Sequence, residues 1–192
     1  MNTQMQWHCP PPQWSEAGNI VKVVTGENND FWRNTFYGFV RDNGHFYHRP
    51  VAGDFTIEVT IDGKYQALYD QAGLMLRVDD SNWIKAGIEF TDGAMHFSTV
   101  VTRNDFSDWS VTKLPATAGS VTSLRITRHG DALRVQYRFG DHDWQQARLA
   151  HLRMGVSVAA GLMCCSPQRA GFEVAFHGMS IGKAISRDLH GA

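Results

Sequence analysis

Neither sign of charge dominates this chain. Lys and Arg number 18, Asp and Glu 19, and the formal net charge is -1. No run of Lys and Arg makes a basic stripe, so no nucleic-acid partner is expected. Cysteine is scarce, with 3 residues, two of them the adjacent Cys164 and Cys165. An odd count with a vicinal pair is no disulfide framework, and free thiols buried on a strand are expected there. No apolar stretch reaches the length of a membrane span, so no membrane partner is expected either. The opening MNTQMQWHCPPPQW has neither a basic n-region nor an apolar h-region. No secretory signal is therefore expected, and the reducing cytoplasm is the expected location. Long helical patterns and fixed-period repeats are missing too.

What remains is a pattern of short strands. The 192 residues are 43% hydrophobic and 19% charged, which suits one globular β-sandwich domain over 1–192 with an ordered core at about 7–182. Strands are predicted at 20–25, 36–40, 55–61, 73–78, 83–90, 95–102, 121–128, 133–139, 156–163 and 172–181. Turn signals separate them, among them Asp42-Asn43-Gly44, Asp62-Gly63, Asp79-Asp80-Ser81-Asn82, Asp92-Gly93, His129-Gly130-Asp131 and Gly140-Asp141. Many short strands with regular turns predict an all-β antiparallel sandwich or barrel. Pro10-Pro11-Pro12 reads as an extended lead-in, and the tail after Gly182 as loosely held.

Asp92-Gly93 is the sharpest hairpin signal. A two-residue type I′ turn between Thr91 and Ala94 sets Glu89 opposite His96 and Gly87 opposite Ser98. Gly87 then reads as a bulge or as room for a ligand above the sheet. Side chains alternate with period 2, so Trp83, Lys85, Gly87 and Glu89 share one face while Ile84, Ala86, Ile88 and Phe90 share the other. The polar face is a solvated surface or the lining of a groove.

Four segments together resemble the "regulation of enolase" family, a domain of unknown function in the concanavalin A-like lectin and glucanase superfamily. They are Asn29-Asp30-Phe31-Trp32-Arg33, Tyr69-Asp70-Gln71-Ala72-Gly73-Leu74-Met75, Trp83-Ile84-Lys85-Ala86-Gly87-Ile88-Glu89 and Ser107-Asp108-Trp109-Ser110. The similarity spans about residues 14–181. It implies a two-sheet jelly-roll sandwich with a concave face, of the kind that serves as a carbohydrate-binding or accessory module beside glycoside hydrolases. The family name implies a regulatory link to a glycolytic enzyme.

The candidate ligand-binding residues are Trp32, Arg33, Tyr69, Asp70, Gln71, Arg77, Lys85, Glu89, His96, Ser98, Asp108 and Trp109. Trp32 and Trp109 would act as stacking platforms, with rings of Tyr69 and Trp83 nearby. Arg77, Lys85 and Glu89 would fix polar groups, and Asp70 and Gln71 would close one end. The expected function is non-catalytic recognition of a polar small molecule, a saccharide or sugar derivative, on the concave sheet. An Arg fork could equally suit a phosphorylated or carboxylated metabolite. One alternative is a protein-interaction module that regulates a metabolic enzyme. Another is a glycoside-hydrolase-like enzyme using Glu89, with Asp70, Asp54 or Asp108 as the second carboxylate. Such enzymes hold two carboxyls roughly 5 Å or roughly 6.5–9.5 Å apart, but Glu89 leads straight into a turn and the superfamily's E-x-D-x-x-E pattern is missing. No metal or cofactor motif is present among the 9 His or elsewhere. No nucleophile elbow occurs.

Overall fold

The structure, a computed structural model, describes residues 4–115 and 121–189. Every regular element among them is a strand, and none of it is a helix long and apolar enough to cross a membrane. The first seven-stranded sheet runs in the order β1 (Gln6–His8), β6 (His45–Ala52), β15 (Ser157–Cys165), β8 (Gln71–Arg77), β9 (Trp83–Thr91), β10 (Ala94–Arg103) and β11 (Phe106–Lys113). The second, also seven-stranded, runs β14 (Gln145–His151), β13 (Ala132–Arg138), β12 (Val121–His129), β7 (Phe55–Gly63), β16 (Glu173–Gly182), β3 (Ile20–Val24) and β2 (Gln13–Ala17). A separate two-stranded hairpin joins β4 (Phe31–Arg33) to β5 (Val40–Asp42). All pairings are antiparallel.

Alternation builds the core. Leu74 and Leu76 of β8 and Ile84, Ala86 and Ile88 of β9 face Ile57, Val59 and Ile61 of β7 and Leu124 and Ile126 of β12. Each such Ile or Leu, fully buried, contributes about 1.5–3 kcal/mol of transfer free energy. The opposite face of the first sheet carries a second, smaller apolar cluster. Met75, Trp83, Val100, Met163 and Phe46 of that sheet pack there with Phe31 and Trp32 of β4. The hairpin is thereby seated on the outer face of the first sheet, at the side where Lys85 and Glu89 project.

The Asp92-Gly93 turn has φ values of 51° and 69°, as a type I′ turn requires. It sets Glu89 opposite His96 and Gly87 opposite Ser98, the register predicted from the sequence. Gly87 is not in a bulge, because the β8–β9 ladder is continuous there. It lies opposite Gly73, and a Cβ on either would run into the neighbouring strand's backbone.

Three local readings need correction. Residues 36–40 do not form a strand. Asn34 and Phe36 adopt φ of 50° and 64°, the chain turns, and pairing resumes only at Val40. Asp62-Gly63 ends β7 inside the sheet rather than turning. The tail is tied down as far as Leu189. Ile185 N–H donates to Thr56 Oγ1 at 3.1 Å, and Arg134 donates to the carbonyls of Asp188 and Leu189 at 3.0 and 3.3 Å. Strands β1, β2, β6, β11 and β14 escaped the sequence reading because their polar residues obscure the alternation. Pro50 in β6 is tolerated because β1 pairs only with Phe46, Tyr47 and His48, so β6 is an open edge at Pro50.

Candidate functional site

Lys85 and Glu89 sit two turns of the pleat apart on β9, on the face turned away from the core, and both are buried. Lys85 Nζ donates to Asp30 Oδ1 at 2.9 Å and to Gln71 Oε1 at 2.7 Å. Gln71 Nε2 reaches the same Asp30 oxygen at 3.2 Å. Burial works against the Lys85 charge, but the carboxylates of Asp30 and Glu89 outweigh it and hold the ammonium above its ordinary range. Glu89 Oε2 accepts from Ser98 Oγ at 2.7 Å, and Ser98 Oγ in turn accepts from Trp109 Nε1 at 3.0 Å. Among the described residues Glu89 Oε1 has no hydrogen-bond partner. Burial raises the Glu89 carboxyl above its ordinary value of 4.5, against the pull of Lys85 and Ser98.

These groups form the floor of a cavity of about 410 Å³. Its walls come from the β4–β5 hairpin, from Tyr69 and from Trp109 of β11, with Pro167 and Gln168 at one side. Aromatic rings follow one another around it. Trp32 and Tyr37 meet edge-on at 5.9 Å, the Tyr37 and Tyr69 hydroxyls lie 3.4 Å apart, and Tyr69 meets Trp109 edge-on at 6.5 Å. Phe39 stacks on Tyr37 at 5.4 Å. Tyr69 reaches its place with φ of 66°, a conformation that bulky residues rarely adopt.

Residues 7–184 match the family described as protein of unknown function, DUF1349. The chain belongs to this family. It is 40% identical over 181 residues to the Saccharomyces cerevisiae protein called regulation of enolase protein 1, covering 94% of this chain and 90% of that one. This member of DUF1349 also resembles the crystal structure of a functionally unknown protein from Saccharomyces cerevisiae, with a TM-score of 0.90, 38% identity, and coverage of 95% and 98% of the two chains. A carbohydrate-binding module, CBM66 from Bacillus subtilis, superposes with a TM-score of 0.60 over 92% of this chain and 95% of its own, at 14% identity. That likeness is one of fold. The all-β jelly-roll sandwich expected from the sequence is the architecture present.

Within this DUF1349 chain the expected site residues divide. Trp32, Tyr69, Gln71, Lys85, Glu89 and Trp109 line the cavity, and Ser98 lies directly beneath its floor. Five others are placed elsewhere. Arg33 is held by Asp105 at 2.8 Å and Asp80 at 3.3 Å. Arg77 forms a two-pronged pair with Asp42, with Nη2 to Oδ2 at 2.9 Å. Asp70 is fully buried and saturated, accepting from Ser166 Oγ, Arg169 and the backbone N–H groups of Gln66 and Ala67. Asp108 pairs with Arg148 at 3.1 Å on the surface. His96 turns its Nδ1 to the Ala94 carbonyl at 3.1 Å. Trp83 is fully buried beneath the hairpin, with Nε1 donating to the Asp80 carbonyl.

Asp30, Tyr37, Phe39, Arg41, Asn28, Val100, Pro167 and Gln168 complete the lining, and none of them was a candidate. Asp30 carried a signal, a carboxylate two residues from Trp32 in a motif already singled out. The others carried none. The described residues contain no cluster of three His, Cys, Asp or Glu able to hold a metal. Cys164 and Cys165 are buried free thiols, and burial pushes both well up, which leaves them unreactive.

Proposed function

We propose that the cavity binds a neutral, polyhydroxylated small molecule, a saccharide or sugar derivative, without turning it over. The unpartnered Oε1 of Glu89 at the floor of a ring-walled cavity carries this reading. This oxygen makes no hydrogen bond among the described residues and opens on the cavity, so it is placed to accept from a ligand hydroxyl or a water. Beside it, the Lys85 ammonium has three N–H donors and spends two on Asp30 and Gln71. The floor thus offers one acceptor next to one donor, which suits neighbouring hydroxyl groups. Formal charges along the lining cancel, Asp30 and Glu89 against Lys85 and Arg41. An anionic metabolite would want an Arg fork; Asp42 takes that of Arg77, and Arg41 in the lining lies against the Phe39 ring at 5.5 Å. A larger thermal shift with sugar phosphates or sugar acids than with neutral sugars would therefore point to an anionic ligand instead. The volume fits small-molecule sites generally, and aromatic walls suit the apolar faces of sugar rings. Asp30 Oδ1 accepts from Lys85, Gln71 and the Phe31 N–H, which favours a role for this carboxylate as the partner of Lys85 over one as a second acid in glycoside hydrolysis.

A thermal-shift screen with neutral sugars, sugar phosphates and sugar acids tests the proposal. A ligand at about 100 times its dissociation constant stabilises by roughly 2.7 kcal/mol, or about 5–10 °C here. Neutral sugars should give that shift, and it should vanish in Trp109→Ala and Glu89→Gln. A folded protein that no sugar stabilises would defeat the reading, as would a shift that both variants keep.

A second reading has its own support. Phe36 at the hairpin tip is 93% exposed, with Tyr37, Phe39 and Val40 also exposed beside it. With the name of the 40% identical relative, this favours a contact through which the chain regulates a metabolic enzyme. Enolase turnover measured with and without the protein, and with Phe36→Ser, separates the two readings.

A further inference from the structure

No basic run exists in the sequence, yet the second sheet assembles one. Leu124, Ile126, Leu133, Val135 and Tyr137 of β12 and β13 point into the core. Arg125, Arg134 and Arg138 therefore project from the outer face of the same two strands. The register sets them in adjacent rows, with Arg125 opposite Gln136, Thr127 opposite Arg134 and Ser123 opposite Arg138. Two of them lie over the Trp144 ring, the Arg125 guanidinium at 4.1 Å and that of Arg138 at 4.6 Å.

The cluster is short of negative charge. None of the three arginines is in an ion pair among the described residues. Glu58 is the acidic residue in register with Arg125 across β7, and it does not close to a salt bridge. Arg138 makes no hydrogen bond there, and the Nε groups of Arg134 and Arg138 are buried without acceptors. Burial first, and then the like charges of Arg134 and Arg138, hold Arg125 below its ordinary range despite Glu58. A polypeptide already lies along one end of this face. The extended tail runs from the Thr56 contact of Ile185 to the carbonyls of Asp188 and Leu189, which fill two donors of Arg134.

We propose that the outer face of the second sheet is a docking surface for an acidic, extended segment of a partner protein. Its carboxylates would take the terminal N–H groups of Arg125, whose Nε already donates to Gln136 Oε1 at 3.0 Å, and those of Arg138, continuing the line that the tail's carbonyls begin on Arg134. Guanidinium forks match carboxylates in two-point geometry. Two guanidinium groups already lie over the Trp144 ring, and a nucleobase would have to displace one of them to stack there. Three arginines on a chain of net charge -1 also make too short a stripe to follow a nucleic-acid backbone. This surface is separate from the cavity, and the proposal stands whether or not the cavity binds sugar.

Fluorescence anisotropy with a labelled oligo-glutamate peptide tests it on the full chain. Binding should appear at low salt and weaken as salt is added. It should weaken by roughly tenfold in the double variant Arg125→Gln/Arg138→Gln, but not in Arg49→Gln/Arg153→Gln, which removes the same charge elsewhere. The single variant Arg138→Gln, which breaks no hydrogen bond but removes the contact with Trp144, should show part of the loss with at most a small drop in melting temperature. The proposal fails if the peptide does not bind, or if both double variants lose affinity equally. It fails equally if duplex DNA or anionic vesicles of phosphatidylserine bind this face more tightly than the peptide.

Discussion

At the scale of single residues, neighbours in the sequence say less than partners in space. Lys85 and Arg77 share one face of the first sheet and read alike as candidate ligand groups. Asp42 captures Arg77 and Asp30 captures Lys85, and only Asp30 lines the cavity. Asp70 is a case of a conspicuous carboxylate with a structural task, since its oxygens are already supplied by Ser166, Arg169 and two backbone N–H groups. Glu89 is the reverse, a buried carboxyl with an oxygen to spare. Its folded-state value is raised by burial above 4.5, so the folded protein holds this proton more tightly than the unfolded chain. The associated stability is present at low pH and is lost as pH rises through the raised value. Glu89→Gln mimics the protonated form. Melting curves should therefore show the variant matching the native protein below pH 4.5 and exceeding it at neutral pH. A variant less stable at neutral pH would mean that Glu89 is satisfied in a way the structure does not show.

At the scale of elements, the β8–β9–β10 unit is the frame of the site, and its turns are written locally. Asp92-Gly93 fixes the β9–β10 register, so Glu89 meets Ser98 through a near neighbour across the ladder. Gly73 and Gly87 face each other where the two backbones crowd. Gly87→Ala should cost roughly 3 kcal/mol, at the upper end for overpacking, because backbone rather than a side-chain tip must move. Urea denaturation checks this, and a loss under about 1 kcal/mol would show that the strands can part cheaply. The β4–β5 hairpin was only half legible. Its Phe31 and Trp32 read as aromatics beside charge, but the loop after them read as a strand. Four hydrophobic residues in the stretch 36–40 look like a strand, whereas the left-handed turns at Asn34 and Phe36 depend on how the hairpin is seated.

At the scale of the whole molecule, distant segments must meet before either sheet exists. β6 pairs with β15, β7 with β16, and the cavity draws on residues from Asn28 to Gln168. Non-local strand pairing closes long loops before contacts repay the entropy lost. Stopped-flow refolding should therefore take milliseconds to seconds, and a submillisecond phase accounting for the full native signal would contradict it. The same long-range pairing sets Arg125, Arg134 and Arg138 side by side on a chain whose overall charge is close to neutral.

The sequence by itself determined the things that depend on near neighbours. Period-2 alternation settled which side of β9 faces the core, turn chemistry settled the β9–β10 register, and four short segments pointed to the family. Tertiary structure alone decided which polar side chains keep a free atom. That depends on which loop lands beside them: Asp30 on Lys85, Asp42 on Arg77, Arg169 on Asp70. Each partner arrives from at least 35 residues away in the chain, beyond the reach of any local pattern.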